Sequence, residues 1–381
     1  MRSDVTYPEL LSLVPRKPEW RVNWQAIWPL FPEFAALDSC PQDPVHHAEG
    51  DAGTHTRMVV EALVAHHDWR ALRQPAREML FWAACFHDIG KPATTRHEDD
   101  GRITSKGHSR LGANMTRAIL REIGVPFDWR EDICGIVEKH QLPFWLIERP
   151  LPERLAVQTS LVCRPDLLCL HAEADALGRI CADQQAVLEN VALARLTFLE
   201  AGCPCYAYPF ENDESRLAFL ESDARAADYT AFEDFRCDVT VMSGLPGAGK
   251  DTWIAGNCPA LPVVSLDAVR EALSVKPTDN QGTVIQAAYE AAREHLRAER
   301  DFVWNATNVT AQTRGKILRL LRDYGARIHI VYIEVPPKQL RKQNAARPDA
   351  VPDAVLDKLE RKLEPPRLLE CHEITYVLGD N

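Results

Sequence analysis

The stretch VTVMSGLPGAGKDTW, residues 239 to 253, decides the fold of the second half of this chain. An apolar, β-branched run ends in a glycine-rich turn, a lysine and the start of a helical pattern. In that order, successive backbone N–H groups wrap phosphates, the helix N-terminus adds partial positive charge, and the lysine reaches the β and γ oxygens. Gly244, Gly247, Ala248, Gly249, Lys250, Asp251 and Thr252 are the candidate nucleotide-binding residues. Asp251 stands where a hydroxyl residue usually helps hold magnesium. A carboxylate beside a triphosphate is repelled unless a cation intervenes, so Asp251 either binds Mg2+, directly or through water, or turns away from it.

Downstream, PVVSLD, DFVWNATN and ARIHIVYIEV are further short β-branched runs. Helical stretches such as TVIQAAYEAAREHLRAER and TRGKILRLLRDYG separate them, the alternation of a parallel sheet flanked by helices. SLDAVR then places Asp267 at the carboxyl edge of that sheet, where open α/β sheets bind ligands. A carboxylate there is placed to take a proton from an attacking hydroxyl, and Arg270, three residues on, to clamp a substrate phosphate. LRKQNAARPDAVPDAVLDKLE supplies Arg341, Lys342 and Arg347, which suit either a lid over triphosphate or a solvated basic face.

These motifs, in this order from residue 238 to 381, resemble the polynucleotide 5'-hydroxyl kinase family. Nucleoside monophosphate kinases also lack a hydroxyl residue straight after the lysine, so Asp251 leaves phosphate binding intact and puts the metal's ligands in question. The resemblance implies ATP as phosphate donor with Mg2+, Lys250 on the phosphates, Asp267 as general base for a 5'-OH, Arg270 on the adjacent substrate phosphate, and Arg341 and Arg347 as lid arginines. Asn305 and Asn308, in WNATN, either line the same site or cap the helix that follows.

The first half reads differently. TRMVVEALVAH, REMLFWAACFHDIG, ANMTRAILREIG, REDICGIVEKHQL and DQQAVLENVALARLTFLE carry apolar residues at three- and four-residue spacing, the pattern of amphipathic helices. Trp20, Trp24 and Trp28 fall four apart, on one helical face, as packing residues. Within FHDIGKP, adjacent His87 and Asp88 sit at a helix end that Gly90 is expected to stop. An imidazole and a carboxylate side by side can serve one ion, and the carboxylate's second oxygen can bridge another. His55, His108, His140 and Asp175 lie in or beside other helices, the way a helical bundle builds a buried metal centre. Residues 46 to 51, HHAEGD, add His46, His47, Glu49 and Asp51, as substrate contacts or as the start of the helix carrying His55.

The order and spacing of these residues resemble the HD phosphohydrolase superfamily over residues 45 to 180. The resemblance implies two divalent metal ions: one held by His55, His87, Asp88 and Asp175, the other by His108 and His140, with Asp88 bridging. Such a centre polarises a phosphoryl oxygen and activates water. Lys91 either stabilises the leaving oxygen, as a catalytic residue, or is a surface lysine.

The fold class expected is therefore an all-α HD phosphohydrolase domain over residues 1–200, a connector at 201–237, and an α/β P-loop kinase domain over 238–381. The pairing resembles bacterial fusions of an HD domain with a polynucleotide kinase. It implies end healing of RNA or DNA: phosphorylation of a 5'-OH, and removal of a 3'-phosphate or opening of a 2',3'-cyclic phosphate, yielding the ends a nucleic acid ligase requires. An HD nucleotide phosphohydrolase fused to a kinase for a nucleoside or antibiotic would carry nearly the same motifs.

Composition agrees with a globular protein, 46% hydrophobic and 26% charged over 381 residues. A net charge of -11 argues against coating long stretches of nucleic acid. From Asp238 onward, 19 basic and 19 acidic side chains balance, leaving 25 basic and 36 acidic in the first 237 residues, so the acidic excess lies wholly in the first part. Eleven cysteines without any CxxC pair favour reduced thiols, with Cys203 and Cys205 packing a loop. No segment approaches the roughly 18 uninterrupted apolar residues that span a bilayer, and a cytoplasmic protein is expected.

Overall fold

Residues 5–276 and 279–379 are described by the computed structural model. The chain divides into two units, one ending at Pro209 and one starting at Phe210.

The first unit is helical. The principal helices are Ala52–Ala65, Gln74–Phe86, His108–Ile123, Phe127–Lys139, Pro165–Leu177 and Gln184–Glu200. Pro165–Leu177 is the central one and packs against all of the others except His108–Ile123. Ten of its thirteen residues are buried, so it has no polar stripe and its period is hard to read from sequence. A two-residue hairpin, β1 (Arg96–His97) against β2 (Ile103–Thr104), interrupts the all-α pattern. The tryptophans do not share a helical face. Trp20 has φ of 48°, outside any helix, and Trp24 and Trp28 begin two successive short helical turns. They still pack as expected, Trp20 edge-on to Trp69 and Trp28 stacked on Phe34.

The second unit is a five-stranded, all-parallel sheet of β3 (Cys237–Ser243), β4 (Val263–Ser265), β5 (Phe302–Asn305), β6 (Ala326–Glu334) and β7 (Glu373–Leu378). Its spatial order is β4-β5-β3-β6-β7. β3 is central and covered on both faces, so Val239, Val241 and Met242 are all fully buried. The glycine loop leaves its carboxyl end and runs into the helix Lys250–Asn257. β7 is an edge strand of mixed polarity, EITYVL, without the apolar run that marks the other strands.

The stretch 201–237 is divided between the units and contains a folded helix, Asp213–Glu221. That helix belongs to the second unit. Arg216 donates to the carbonyls of Leu368, Cys371 and His372, while Arg322 pairs with both Glu214 and Glu221.

Candidate metal centre and phosphate site

Three helix boundaries bring the imidazoles together. His87 and His140 each follow immediately on the end of a helix, and His108 begins one. Each Nδ1 lies against the carbonyl three residues earlier: 2.8 Å from Ala84 O, 2.7 Å from Ser105 O and 2.8 Å from Val137 O. A carbonyl only accepts, so each Nδ1 carries the proton and each Nε2 presents a lone pair. For Ala84 and Val137 the imidazole also satisfies a carbonyl that the helix end would leave open.

Those lone pairs converge on Asp88. Its Oδ2 lies 3.2 Å from His87 Nε2 and 3.8 Å from His55 Nε2, and its Oδ1 lies 3.3 Å from His108 Nε2 and 3.8 Å from His140 Nε2. The two oxygens thus face two separate groups, His55 with His87 and His108 with His140, each compact enough to hold an ion. Asp175 reaches the first group through Oδ1, 3.1 Å from His55 Nε2. All six side chains are buried.

The donor set fits divalent cations. His108 Nε2 and His140 Nε2 are 3.3 Å apart, two lone pairs facing each other at a spacing that a cation between them resolves. Neither Asp88 oxygen receives a well-directed hydrogen bond, nor does His87 Nε2 have a partner. Burial would raise the Asp88 pKa, but the electrostatic pull of His87 and Lys91 holds it well below the carboxylate range. Burial, with His108 and His87 nearby, pushes the His140 imidazole well down, toward its neutral, ligating form.

Gly90 has a different task from the helix stop read from the sequence. The helix has already ended at Phe86. A Cβ at Gly90 would lie 2.3 Å from His108 O and 2.7 Å from Gly112 N, so its absence lets the helix bearing His108 approach Asp88. Lys91 is buried rather than on the surface, its Nζ 2.7 Å from Asp88 Oδ2 and donating to Gln42 Oε1 at 2.6 Å.

Around the centre, Glu49, named from the sequence as a substrate contact or helix start, has another role, while Arg179 and His171 escaped the sequence reading. Glu49 Oε1 lies 2.8 Å from both His55 Nδ1 and His47 Nδ1, and Glu49 Oε2 accepts from the Ile180 N–H. Burial raises its pKa, but these bonds outweigh it and hold Glu49 ionised. A carboxylate on Nδ1 fixes the tautomer that leaves His55 Nε2 free for a metal. Asp51, by contrast, is the N-cap of the helix Ala52–Ala65, accepting from Thr54 N–H. Arg179 grips Asp175 with two bonds, at 3.0 and 3.1 Å. His171 is buried against the His87 and His140 rings, and neither of its nitrogens has a partner. The signal for Arg179 was available: it falls one helical turn after Asp175.

In the second unit, Lys250 Nζ donates to the carbonyls of Gly244 and Leu245, both at 3.0 Å, folding back across the loop. Burial lowers its pKa to about 8; Asp251 and Asp267 oppose the shift and Arg347 adds to it. Asp251, Asp267 and Arg347 are therefore each within electrostatic reach of Lys250. Gly247 has φ of 81°, and a Cβ there would lie 3.1 Å from the Asn344 backbone, so the helix Pro337–Ala345 rests against the loop. Thr252 is exposed on the helix that follows.

Asp267 and Arg270 lie three apart on the helix Leu266–Ala272, directly after β4, and form an ion pair. Asp251 Oδ1 accepts from Asn305 Nδ2 at 2.7 Å, and both line an open pocket of about 300 Å³ with Ile254, Leu261, Val263 and Ser265 among its walls. The carboxylate at the mouth of the loop suits the Mg2+ that a P-loop kinase fold implies. Asn308 neither lines that pocket nor caps a helix. Its side chain donates to Met242 O, and Thr310 caps the helix Ala311–Asp323. Of the two arginines expected in a lid, Arg341 is held by Asp357, Glu360 and Asp353, while no carboxylate among the described residues pairs with Arg347.

Comparison with known proteins matches residues 52–173 to the HD domain family and residues 239–366 to an AAA domain family. The CC-adding tRNA nucleotidyltransferase of Thermus thermophilus is 35% identical over 138 residues, 36% of this chain and 29% of that protein. The Multifunctional CCA protein of Psychromonas ingrahamii is 34% identical over 113 residues, 30% of this chain and 25% of that protein. The Multifunctional CCA protein of Actinobacillus pleuropneumoniae is 32% identical over 158 residues, 40% of this chain and 36% of that protein. The chain thus spans between a quarter and a little over a third of the length of these curated relatives. Among solved structures, a putative kinase from Chloroflexus aurantiacus covers 38% of this chain and 86% of its own at 17% identity, with a TM-score of 0.33, too low to bear on the fold. No helix among the described residues is long and apolar enough to cross a membrane. The chain joins a helical HD domain to an α/β, P-loop kinase-like domain.

Proposed function

We propose that the chain heals nucleic acid ends: its second unit moves the γ-phosphate of ATP to a 5'-OH, and its HD unit removes a 3'-phosphate or opens a 2',3'-cyclic phosphate. The observation that carries the reading is the Asp267–Arg270 pair at the carboxyl edge of the sheet. A base for a hydroxyl stands beside a cation for a phosphate. The 5' end of a strand offers both groups, since its next phosphodiester lies within the same nucleotide unit; a nucleoside or antibiotic leaves Arg270 without a phosphate partner.

In the transfer step, a bond forms between the 5' oxygen and the γ phosphorus as the bond to the β–γ bridging oxygen breaks and ADP leaves. Asp267 takes the hydroxyl proton, Lys250 neutralises the phosphate oxygens, and Arg347, within electrostatic reach of Lys250, adds positive charge. Arg341 joins it only by leaving its carboxylates.

In the HD unit, His55, His87, Asp88 and Asp175 would hold one divalent ion, and His108, His140 and Asp88 the other. When bound, these ions polarise the phosphoryl oxygen and lower the pKa of water. Lys91, fixed on Asp88, adds a positive charge for the leaving oxygen. One relative is named for adding CC to tRNA, which favours RNA as the polymer. The products, a 5'-phosphate and a 3'-OH, are what a nucleic acid ligase joins.

The test uses ATP labelled on its γ-phosphate with matched RNA and DNA strands bearing 5'-OH ends, beside a mononucleoside. Label on the strands is expected, and label on the nucleoside alone overturns the reading in favour of a small-molecule kinase. Strands with a 3'-phosphate or cyclic end should be processed in the presence of divalent metal. Lys250→Ala should cut labelling by about 10²–10³-fold and spare that processing, and His87→Ala should cut the processing and spare labelling.

A further inference from the structure

P-loop enzymes divide the work of holding the nucleotide's magnesium between two places: a hydroxyl directly after the loop lysine and a carboxylate from outside the loop. In this chain the hydroxyl's place has changed, and the strand beside the loop's own strand ends in an amide rather than a carboxylate. The residue after Lys250 is the carboxylate Asp251, and β5, the strand paired directly with the loop's own strand β3, ends in the amide Asn305. The two are in contact, Asn305 Nδ2 donating to Asp251 Oδ1 at 2.7 Å.

We propose that the two positions have exchanged chemistry, so that Asp251 supplies the carboxylate for the Mg2+ of a bound nucleoside triphosphate and Asn305 is the positioning residue that aims it. The amide uses one carboxylate oxygen and leaves Oδ2 for the ion. Asn305 is buried and offers a rigid donor, whereas Asp251 is exposed in the pocket that a hydrated ion can enter. The number of carboxylates at these two positions stays at one, which matters because Mg2+ is held by one or two carboxylates plus phosphate oxygens, and a surplus repels the phosphates. The charge balance also explains why the aspartate is tolerated. In the first turn of the helix Lys250–Asn257 it competes with phosphate for the same positive end, a conflict that a shared cation removes.

The inference rests on the loop binding a nucleoside triphosphate and is independent of which acceptor is phosphorylated. A failure to label 5'-OH strands would therefore strike the end-healing reading and leave this one standing.

The test measures equilibrium affinity for a fluorescent ATP analogue, with Mg2+ and with EDTA, in the full chain and four variants: Asp251→Ser, Asp251→Asn, Asn305→Asp and the double exchange Asp251→Ser with Asn305→Asp. In the parent protein Mg2+ should tighten binding by about 5- to 150-fold, the usual range of coupling between two ligands. Asp251→Ser and the isosteric Asp251→Asn should each lose most of that gain while binding the metal-free analogue more tightly, because the repelling carboxylate has gone. Asn305→Asp, with two carboxylates side by side, should weaken metal-free binding further. The double exchange should restore the Mg2+ gain to within about threefold of the parent, a recovery that defective folding of the single variants would not produce. Full retention of the Mg2+ gain in both Asp251 variants, a parent protein indifferent to Mg2+, or a double variant that behaves as the sum of the singles would overturn it.

Discussion

His87, His108 and His140 each commit the Nδ1 proton to a carbonyl of their own segment and aim Nε2 at Asp88. In the second unit the cations point elsewhere: Lys250 rests on two loop carbonyls and Arg341 on three carboxylates, while the Asp267 side chain is 74% exposed. The first centre is assembled before any ligand arrives, held by helix ends and buried neighbours. The second keeps its charges satisfied by substitutes that a triphosphate must displace. Metal sites reward rigid geometry, since donor distances tolerate little error. A phosphate-transfer site must instead admit and release two substrates, and groups that swing between partners serve that cycle.

The largest expected effect falls where the first centre is most rigid. Asp88→Ala removes the oxygen atoms that both imidazole groups face and leaves buried Lys91 without its carboxylate. Metal analysis should show both ions lost, against one in His108→Ala. Denaturant unfolding of the metal-free protein should show a destabilisation of about 3–5 kcal/mol for the broken buried pair. Retention of both ions would break the bridging arrangement.

Next comes Lys250→Ala, which should lower kcat of phosphoryl transfer by about 10²–10³-fold, as for removal of a single charge-stabilising donor. Hydrolysis by the HD unit should be unchanged. Glu49→Gln is milder. It keeps the shape but weakens the carboxylate that orients His55, and should cost about 10–100-fold in metal affinity, measured by competition with a chelator. Unaltered affinity would show that His55 needs no such partner.

The uneven legibility of the two sites follows from the same contrast. The glycine loop is a local device, so a single stretch from Val239 to Trp253 specifies strand, turn and helix together. The six metal-centre residues were chosen on order and spacing, and the fold places them around one carboxylate. Gln42 could not be found that way, and Glu49 was named without its role on His55, because both roles depend on the loop from 41 to 51 lying against His55 and Lys91, a contact with no periodic trace. Gly90 carried the wrong task because a glycine after a helix reads as a stop, whereas its packing against His108 is visible only in three dimensions. Arg341 was chosen for its charge, and sequence alone does not say that Asp353, Asp357 and Glu360 lie one helix away with a prior claim.

A smaller effect should follow pH. The folded protein releases the Lys250 proton near pH 8, and the unfolded chain near 10.5. Between those values the unfolded chain binds more protons, so stability of the second unit rises as pH climbs through this window. Nucleotide affinity has the opposite sign, since phosphate prefers the ammonium form. It should fall as pH passes 8, by up to about tenfold per unit, in fluorescence titrations of the ATP analogue. A flat profile up to pH 10 would mean that Lys250 keeps its proton despite burial.

The smallest stability effect separates the two lid arginines. Arg341 is bonded to Asp357 and Glu360 in a half-exposed network, worth no more than about 1 kcal/mol, so Arg341→Ala should barely move the thermal midpoint. Arg347 has no carboxylate partner among the described residues to lose, and Arg347→Ala should move it less still. Their order in catalysis should be reversed. Arg347 already bears on Lys250 electrostatically and needs no release, so its loss should reduce kcat/KM for phosphoryl transfer more than the loss of Arg341. If Arg341→Ala proves the more damaging, the carboxylates of the helix Asp353–Glu360 are a latch that opens during turnover. In that case removing them by Asp357→Asn with Glu360→Gln should raise kcat by freeing the arginine.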